Sequence, residues 1–309
     1  MATQRVVAIE PVSYDALHEA VVGAGGVLGP ADSADAVVWT NPRDPDALKL
    51  LLELSPARWI QLPFAGIEDF VAAGVIDPTR TWTCTKGVYG PACAEHALCL
   101  MLAAARLLHE HVRADTWRTP GLGSPERLLS GATVVILGTG GIGGSLIELL
   151  KPFDVRIIAV NRSGSEVTGA ERTVGSDRLD EVLPEADYVV LALALTPASE
   201  RIIDARKLGL MRRDVWLINV ARGRLVDTDA LVAALRGAEI GGAALDVTDP
   251  EPLPDAHPLW KLDNVIITPH IANTWDMALP ELTALVRRNV AHFVKGERLE
   301  GLVEPTLGY

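Results

Sequence analysis

Short apolar runs alternate with amphipathic segments over about the first hundred residues of the chain. The runs Val6–Ile9, Ala36–Thr40 and Trp59–Leu62 predict three strands. The segments between them, Tyr14–Ala24 and Pro45–Leu54, predict helices. Because strands and helices alternate, the pattern favours a parallel sheet.

A second and more apolar alternation begins after a predicted buried helix over Pro91–His111 and an irregular arm over Arg113–Ser130. Six near-continuous apolar runs predict strands covered on both faces, at Thr133–Leu137, Arg156–Val160, Tyr188–Leu193, Val215–Val220, Ala243–Val247 and Val265–Thr268. Helices are predicted at Ile142–Leu150, Ala205–Met211, Thr228–Arg236 and Trp275–Phe293. The whole pattern predicts an α/β protein with doubly wound parallel sheets.

Length and composition narrow the class of protein. A chain of 309 residues is long enough for two domains, and 49% hydrophobic with 22% charged residues excludes a disordered chain. The net charge of −12 repels phosphate backbones and anionic lipid, so we expect no nucleic-acid or membrane partner.

The cysteines and the N-terminus carry little functional signal. Cys84, Cys93 and Cys99 lack metal-binding spacing, so we expect free thiols and no metal site. Neither a signal peptide nor a membrane-spanning run is visible, which favours a cytoplasmic protein.

The strand Thr133–Leu137 runs into the sequence GTGGIGG over residues 138 to 144 and then into a helix. Gly138, Gly140 and Gly143 fill the G-x-G-x-x-G pattern, in which the backbone and the helix N-terminus hold a pyrophosphate. A glycine-rich turn that binds no ligand is the alternative. The strand–turn–helix context favours a dinucleotide site.

The end of the next strand bears on which dinucleotide is bound. NAD sites usually have an acidic residue there for the ribose hydroxyls. This chain has Asn161, Arg162 and Ser163 instead, and arginine pairs well with a 2′-phosphate. We therefore expect NADP to be preferred to NAD. The alternative is that Arg162 is only a solvated charge on the loop.

Polar residues follow three later strands, at the edge where an open parallel sheet builds its site. Arg222, Glu251 and His270 stand in these segments. An arginine can bind a carboxylate, a histidine can transfer a proton, and a glutamate can hold and charge the histidine. Beside a nicotinamide, these three side chains suffice for reduction of a carbonyl group.

Motifs across nearly the whole chain resemble those of the D-isomer-specific 2-hydroxyacid dehydrogenases. GTGGIG at residue 138 resembles the family's cofactor loop, and LTPASERIID at residue 195 resembles a conserved segment at a strand end. NVARG, LDVTDPEPLP and PHIA, which begin at residues 219, 245 and 269, resemble the three active-site blocks.

The resemblance implies roles for individual residues. Arg222 would bind the substrate carboxylate and carbonyl, His270 would be the acid/base, and Glu251 would be its partner. Asp246 would lie near the nicotinamide, with a role as a loop partner as the alternative. Further cofactor contacts through the backbone are implied for Gly141, Ile142 and Ala221, and backbone contacts to the substrate carboxylate for Ala65, Gly66 and Ile67.

Other residues near these motifs have less definite roles. Glu95 and His96 begin the predicted buried helix, so a structural role is favoured for both. Trp82, Tyr89, Trp275 and Met277 are expected to shape the pocket, at positions that the sequence does not fix.

The resemblance also implies an architecture and a reaction. A Rossmann cofactor domain over residues 99–275 would be inserted into a flavodoxin-like substrate domain over residues 1–98 and 276–309, with the site in the cleft. The reaction would be NAD(P)H-dependent reduction of a small 2-oxo acid to the D-2-hydroxy acid, with glyoxylate or hydroxypyruvate favoured as substrate. The protein would be a homodimer, with the irregular arm over Arg113–Ser130 as part of the contact. Two alternatives stay open: a nicotinamide-sensing, corepressor-like binding protein of the same fold, and a methyltransferase that uses the glycine-rich loop.

Overall fold

The computed structural model describes residues 4–117 and 126–304, and the chain divides into two units. The first unit comprises Met1–Tyr89 and Trp275–Tyr309, and the second comprises Gly90–Thr274. Within the described ranges, no helix is both long enough and apolar enough to cross a bilayer.

The first unit contains a parallel sheet of five strands with helices on both faces. The strands are β1 (Val6–Glu10), β2 (Val27–Leu28), β3 (Ala36–Trp39), β4 (Trp59–Gln61) and β5 (Thr81–Thr83), and their order in the sheet is β2-β1-β3-β4-β5. The helices are α1 (Asp15–Gly23), α2 (Pro45–Leu54), α3 (Glu68–Ala72) and α10 (Trp275–Lys295). This strand order confirms the flavodoxin-like expectation.

Two apolar cores cover the faces of this sheet. On one face, Leu17 of α1 and Leu282 and Val286 of α10 are buried with the side chains of β1 and β3. On the other face, Leu48 of α2 and Phe70 of α3 are buried with neighbouring strand residues. Burial on both sides explains the near-continuous apolar strands.

The second unit contains a parallel sheet of seven strands. They are β6 (Thr133–Leu137), β7 (Arg156–Asn161), β8 (Arg172–Gly175), β9 (Tyr188–Leu191), β10 (Trp216–Asn219), β11 (Gly242–Leu245) and β12 (Val265–Ile267). Their order is β12-β11-β10-β9-β6-β7-β8, so the strand order reverses between β6 and β9. This is the Rossmann arrangement, and ligands bind at the carboxyl ends of the strands near such a reversal.

Helices cover both faces of the second sheet as well. They are α4 (Gly90–Ala105), α5 (Leu108–His111), α6 (Gly141–Leu150), α7 (Leu179–Val182), α8 (Ala205–Leu210) and α9 (Thr228–Arg236). Buried residues of α4 and α6 form one core with the sheet, and buried residues of α7, α8 and α9 form the other. The fold class expected from the alternating pattern is confirmed in both units.

The helix predicted over residues 91–111 is interrupted near its end, at residues 106–107. The α4 helix ends at Ala105, Leu107 takes a left-handed backbone conformation with φ of 48°, and the short α5 follows. The turn lets His109 pack edge-on against Trp216, with ring centroids 5.3 Å apart. A straight helix would not make this tertiary contact, which hydrophobic periodicity cannot predict.

The remaining differences between predicted and observed elements lie at the sheet edges and at the boundaries of the two units. The strands β2, β5 and β8 are short and were not predicted. The predicted arm over residues 113–130 is irregular where it is described, and residues 118–125 lie outside the described part. The units divide at Tyr89 and Thr274, because α4 packs from its first turn against α6 of the second unit.

Candidate active site

The predicted cofactor loop connects β6 to α6. The chain turns at Gly138, whose φ of 94° is left-handed and whose Cβ would lie 2.5 Å from the carbonyl oxygen of Ala192. Gly140 precedes α6, and a Cβ on it would meet no described atom within 4 Å. Gly141, Ile142 and Gly143 then form the first turn of the helix. Open space above amide groups at a helix N-terminus fits a pyrophosphate, so these residues fit a dinucleotide.

A set of polar groups stands where β7 ends. The side-chain amide of Asn161 donates to the carbonyl oxygen of Ser165 at 2.7 Å, and the hydroxyls of Ser163 and Ser165 lie 2.6 Å apart. Arg162 is exposed on the same turn. Hydroxyls, an amide and a guanidinium suit a phosphate group, and no carboxylate follows the strand as in a typical NAD site.

Arg222 follows β10 and is held by its own neighbours. The buried side chain of Asn219 accepts from the backbone N–H of Ala221 at 3.1 Å and donates to the carbonyl oxygen of Arg222 at 2.8 Å. A guanidinium nitrogen of Arg222 donates to the Ala221 carbonyl at 2.7 Å. Asn219 therefore orders this loop, a role that its position in the motif did not reveal.

The next residue, Gly223, brings this loop against the segment that carries Glu251. A Cβ on Gly223 would lie 1.9 Å from the carbonyl oxygen of Thr248, so only glycine permits this approach of two backbones. The two loops follow the neighbouring strands β10 and β11.

Glu251 and His270 form a direct pair, with Oε1 of the glutamate 2.6 Å from Nδ1 of the histidine. Burial alone would raise the pKa of Glu251. The hydrogen bond and charge of His270 outweigh it and, with the Thr248 backbone and the charge of Arg222, hold this pKa below its usual range. The histidine ring is thus oriented by a charged carboxylate, with its other nitrogen available to a substrate.

The backbone at His270 is unusual, since its φ of 55° lies in the left-handed region that non-glycine residues rarely adopt. Asp246, at the end of β11, holds this turn. Its carboxylate accepts from the N–H groups of Ile271 at 2.9 Å and Ala272 at 3.0 Å, and its carbonyl accepts from the N–H of His270 at 2.8 Å.

The Asp246 side chain is buried and charged. Burial would raise the pKa of Asp246, but hydrogen bonds from His96, Thr268, Ile271 and Ala272 lower it below the usual value. Asp246 therefore has the contacts of a loop partner, which was the alternative to its predicted place near the nicotinamide. Its approach to the nicotinamide stays a prediction, as does the backbone contact of Ala221 with the cofactor.

The predicted substrate loop belongs to the first unit. Ala65 is exposed, Gly66 is half-buried and Ile67 is buried just before α3. Beside them, Phe64 packs against Tyr89 and Trp275, with ring centroids 5.6 and 5.9 Å apart.

The other expected pocket residues in this unit differ in their surroundings. The hydroxyl of Tyr89 donates to the carbonyl of Pro63 at 2.7 Å. Trp82 is 1% exposed in the core and donates to the Asp77 carbonyl, which is a structural position. Met277 is exposed on α10.

The structure therefore gathers Arg222, Glu251, His270 and Asp246 on loops that follow adjacent strands of one sheet. The motif order along the chain had predicted the first three as one set. Sequence reasoning missed the supporting contacts of Asn219 and Thr268, because neither residue type signals a buried hydrogen bond without a three-dimensional partner.

Comparison with known proteins identifies the family of the chain. Residues 98–272 match the model of the D-isomer specific 2-hydroxyacid dehydrogenase, NAD binding domain. A glyoxylate reductase from Pyrococcus furiosus is 37% identical over 235 residues, which cover 73% of this chain and 68% of that protein. An uncharacterized protein of Corynebacterium melassecola, encoded in the proB 3′ region, is 41% identical over 304 residues, 96% of this chain and 99% of its own.

A solved structure has the same fold. The D-isomer specific 2-hydroxyacid dehydrogenase from Xanthobacter autotrophicus Py2, in complex with NADPH and MES, superimposes with a TM-score of 0.84 at 25% identity, over 100% of both chains. The chain belongs to the D-isomer-specific 2-hydroxyacid dehydrogenase family. It is an NAD(P)-dependent oxidoreductase that acts on small 2-hydroxy or 2-oxo acids.

Proposed function

We propose that the protein reduces glyoxylate or hydroxypyruvate to the corresponding 2-hydroxy acid and prefers NADPH to NADH. The observation that carries the proposal is the 2.6 Å contact between Glu251, after β11, and His270, after β12, beside the loop after β10 that contains Arg222. The similarity to glyoxylate reductases at 37% identity supports the choice of substrate.

The chain's own residues would perform the acid–base and binding steps. His270, oriented by its contact with Glu251, gives a proton to the carbonyl oxygen of the 2-oxo acid. Arg222 binds the substrate carboxylate, for which its planar fork of N–H donors is suited. When bound, the reduced nicotinamide supplies the hydride. In the reverse direction, neutral His270 accepts the proton from the hydroxyl.

The cofactor loop of residues 138–143 would hold the pyrophosphate through amide groups at the start of α6. Backbone N–H groups of Ala65, Gly66 and Ile67 are proposed as further donors to the substrate carboxylate, on the family resemblance. We also propose a homodimer in the cytoplasm, as the family resemblance and the sequence pattern suggest.

The substrate is tested by steady-state reduction of a panel of 2-oxo acids, with NADH and NADPH in parallel. We expect the highest kcat/KM for glyoxylate or hydroxypyruvate with NADPH, and near-complete loss in His270→Ala. A higher kcat/KM for a bulky substrate such as phenylpyruvate would refute the substrate assignment. Tight NADPH binding without turnover of any acid would instead favour the nicotinamide-sensing function.

The cofactor preference rests on the turn after β7, and Arg162→Ala tests it. A charge-assisted hydrogen bond contributes about 1.5–3 kcal/mol, and exposure reduces this, so KM for NADPH should rise about tenfold while KM for NADH stays constant. Arg206→Ala is the matched control, since it removes an exposed guanidinium that pairs with Asp180 on α7. Equal kcat/KM for both cofactors in the wild-type enzyme would contradict the proposal.

A further inference from the structure

His96 of α4 reaches the loop that carries His270, although 174 positions separate the two residues in the sequence. Its Nε2 lies 2.9 Å from the hydroxyl oxygen of Thr268 and 3.4 Å from Oδ1 of Asp246. The His96 side chain is 17% exposed and that of Asp246 is 1% exposed, so these contacts are largely shielded from water.

The hydrogen bonds at Thr268 determine the direction of the contact. The Thr268 hydroxyl has one hydrogen, which it donates to Oδ1 of Asp246 at 2.6 Å. Its oxygen must therefore act as the acceptor toward His96, so Nε2 of His96 carries the hydrogen. His96 is thus a donor to a short chain of hydrogen bonds that ends on the Asp246 carboxylate.

That carboxylate and Thr268 are the groups that hold the turn at His270. Asp246 accepts the N–H groups of Ile271 and Ala272, and the carbonyl of Thr268 accepts the N–H of His270 at 3.0 Å. The left-handed φ of His270 is strained for a residue with a Cβ, so it persists only where surrounding contacts fix it.

We propose that His96 is a positioning residue for the reaction: its ring fixes Thr268 and Asp246, and through them the backbone turn that aims His270 at the substrate. The inference rests on the proposed role of His270 as proton donor. It assigns a function to a helix residue that contributes no group to the acid–base pair itself.

The test compares His96→Leu with His96→Gln. Leucine removes the donor, whereas the amide nitrogen of glutamine can reach the position of Nε2. Loss of one buried hydrogen bond, converted at about 1.4 kcal/mol per tenfold, predicts about a tenfold lower kcat in His96→Leu, with KM for NADPH unchanged and most of the activity restored in His96→Gln.

An isotope effect separates positioning from a structural role. With reduced cofactor deuterated at the transferred position of nicotinamide C4, a misaligned His270 slows the chemical step, so the isotope effect on kcat should rise in His96→Leu. A residue that only supports folding would lower the melting temperature without changing the isotope effect. Equal kcat in wild type and His96→Leu, or equal losses in the leucine and glutamine variants, would overturn the proposal.

Thr268 supplies an independent arm of the test. Thr268→Val keeps the shape of the side chain without the hydroxyl, and Thr268→Ser keeps the hydroxyl as the matched control. If His96 acts through Thr268, the double variant with His96→Leu should lose no more kcat than either single variant. Additive losses would show that the two residues act separately and would refute the chain of hydrogen bonds.

A crystal structure of His96→Leu tests the inference without turnover. We expect His270 to leave the left-handed region and its contact with Glu251 to lengthen. An unchanged turn would refute the positioning role even if the wild-type enzyme reduced a different acid. Failure of wild type on every 2-oxo acid, with the turn displaced in the variant, would instead count against the proposed function alone.

Discussion

Glu251→Gln removes a negative charge from the pair with His270 while keeping the shape of the side chain and an oxygen acceptor. In the wild type the carboxylate lies 2.6 Å from Nδ1, where it stabilises the charged imidazolium. Reduction requires the imidazolium as proton donor, and oxidation requires the neutral ring as acceptor. The variant should therefore lose reduction at a lower pH than the wild type on the alkaline side of the profile.

The size of this shift follows from the geometry and exposure of the pair. A hydrogen bond to a charged group contributes about 1.5–3 kcal/mol. The side chains of His270 and Glu251 are 41% and 37% exposed, so solvent screening reduces the charge contribution to about 1 kcal/mol. At about 1.4 kcal/mol per tenfold, loss of this contribution should lower kcat/KM for reduction about fivefold on the alkaline side of the profile.

The acid side of the profile sets the range of the assay. Burial would raise the pKa of Glu251, but the contact with His270 lowers it below its usual range, so the carboxylate stays charged as the pH falls toward 5. The pair weakens only when the pH passes down through that lowered value. The measurement is kcat/KM from pH 5 to 10, for the 2-oxo acid at saturating reduced cofactor and for the 2-hydroxy acid at saturating oxidised cofactor.

Glu181→Gln is the matched control, because it removes the same charge from an exposed glutamate of α7, which pairs with Arg178. We expect its pH profile to match the wild type. If Glu251→Gln also has the wild-type alkaline limb, Glu251 does not charge His270 and the assignment of the pair is wrong. If both variants shift equally, the net charge of the protein is the cause.

Three further predictions concern buried groups. Burial would raise the pKa of Asp246, but hydrogen bonds to its carboxylate lower it. The charged carboxylate therefore stabilises the fold at neutral pH, and this stabilisation is lost as the pH falls through the lowered pKa. Asp246→Asn should lower the unfolding free energy by about 1–3 kcal/mol at pH 7 and by less at pH 3 in urea titrations, and equal stability at pH 7 would contradict this. Burial lowers the pKa of His109, so the stability of the wild type should decrease as the pH falls below about 6.5. In thermal melts, His109→Phe should lose part of this pH dependence. Parallel curves of melting temperature against pH for the two proteins would exclude His109 as the cause. Burial raises the pKa of Cys93 to about 11 while Cys99 is exposed, so a disulfide reagent at pH 8 should label Cys99 first, and a fast phase that survives Cys99→Ser would refute this order.

The sequence alone determined the features that depend on local pattern. Buried strands such as β6 and β9 are continuous apolar runs, and these runs fall within a few residues of the observed bounds. The glycine loop and the motifs around Arg222, Glu251 and His270 are local as well, because a strand end, a tight turn and a reactive side chain lie within a few positions of one another. Parallel packing then places these strand ends at one edge of the sheet.

Short edge strands carried too little pattern to be predicted. The strand β2 has two residues and β5 has three, so no alternation of apolar and polar positions develops along them. Their pairing is fixed by backbone hydrogen bonds to β1 and β4 in the folded unit. The break in the helix at Leu107 has a similar cause, since α5 has only four residues and the contact of His109 with Trp216 joins residues far apart in the sequence.

Only the tertiary structure decided how His270 is held. Asp246 precedes Ile271 by 25 positions, and His96 precedes Thr268 by 172, so neither hydrogen bond leaves a trace in local periodicity. An aspartate at a strand end is compatible with a cofactor contact or with a loop contact, and the choice depends on which donors surround it. A buried carboxylate requires partners, and the fold supplies them from the loop after β12 and from the helix α4.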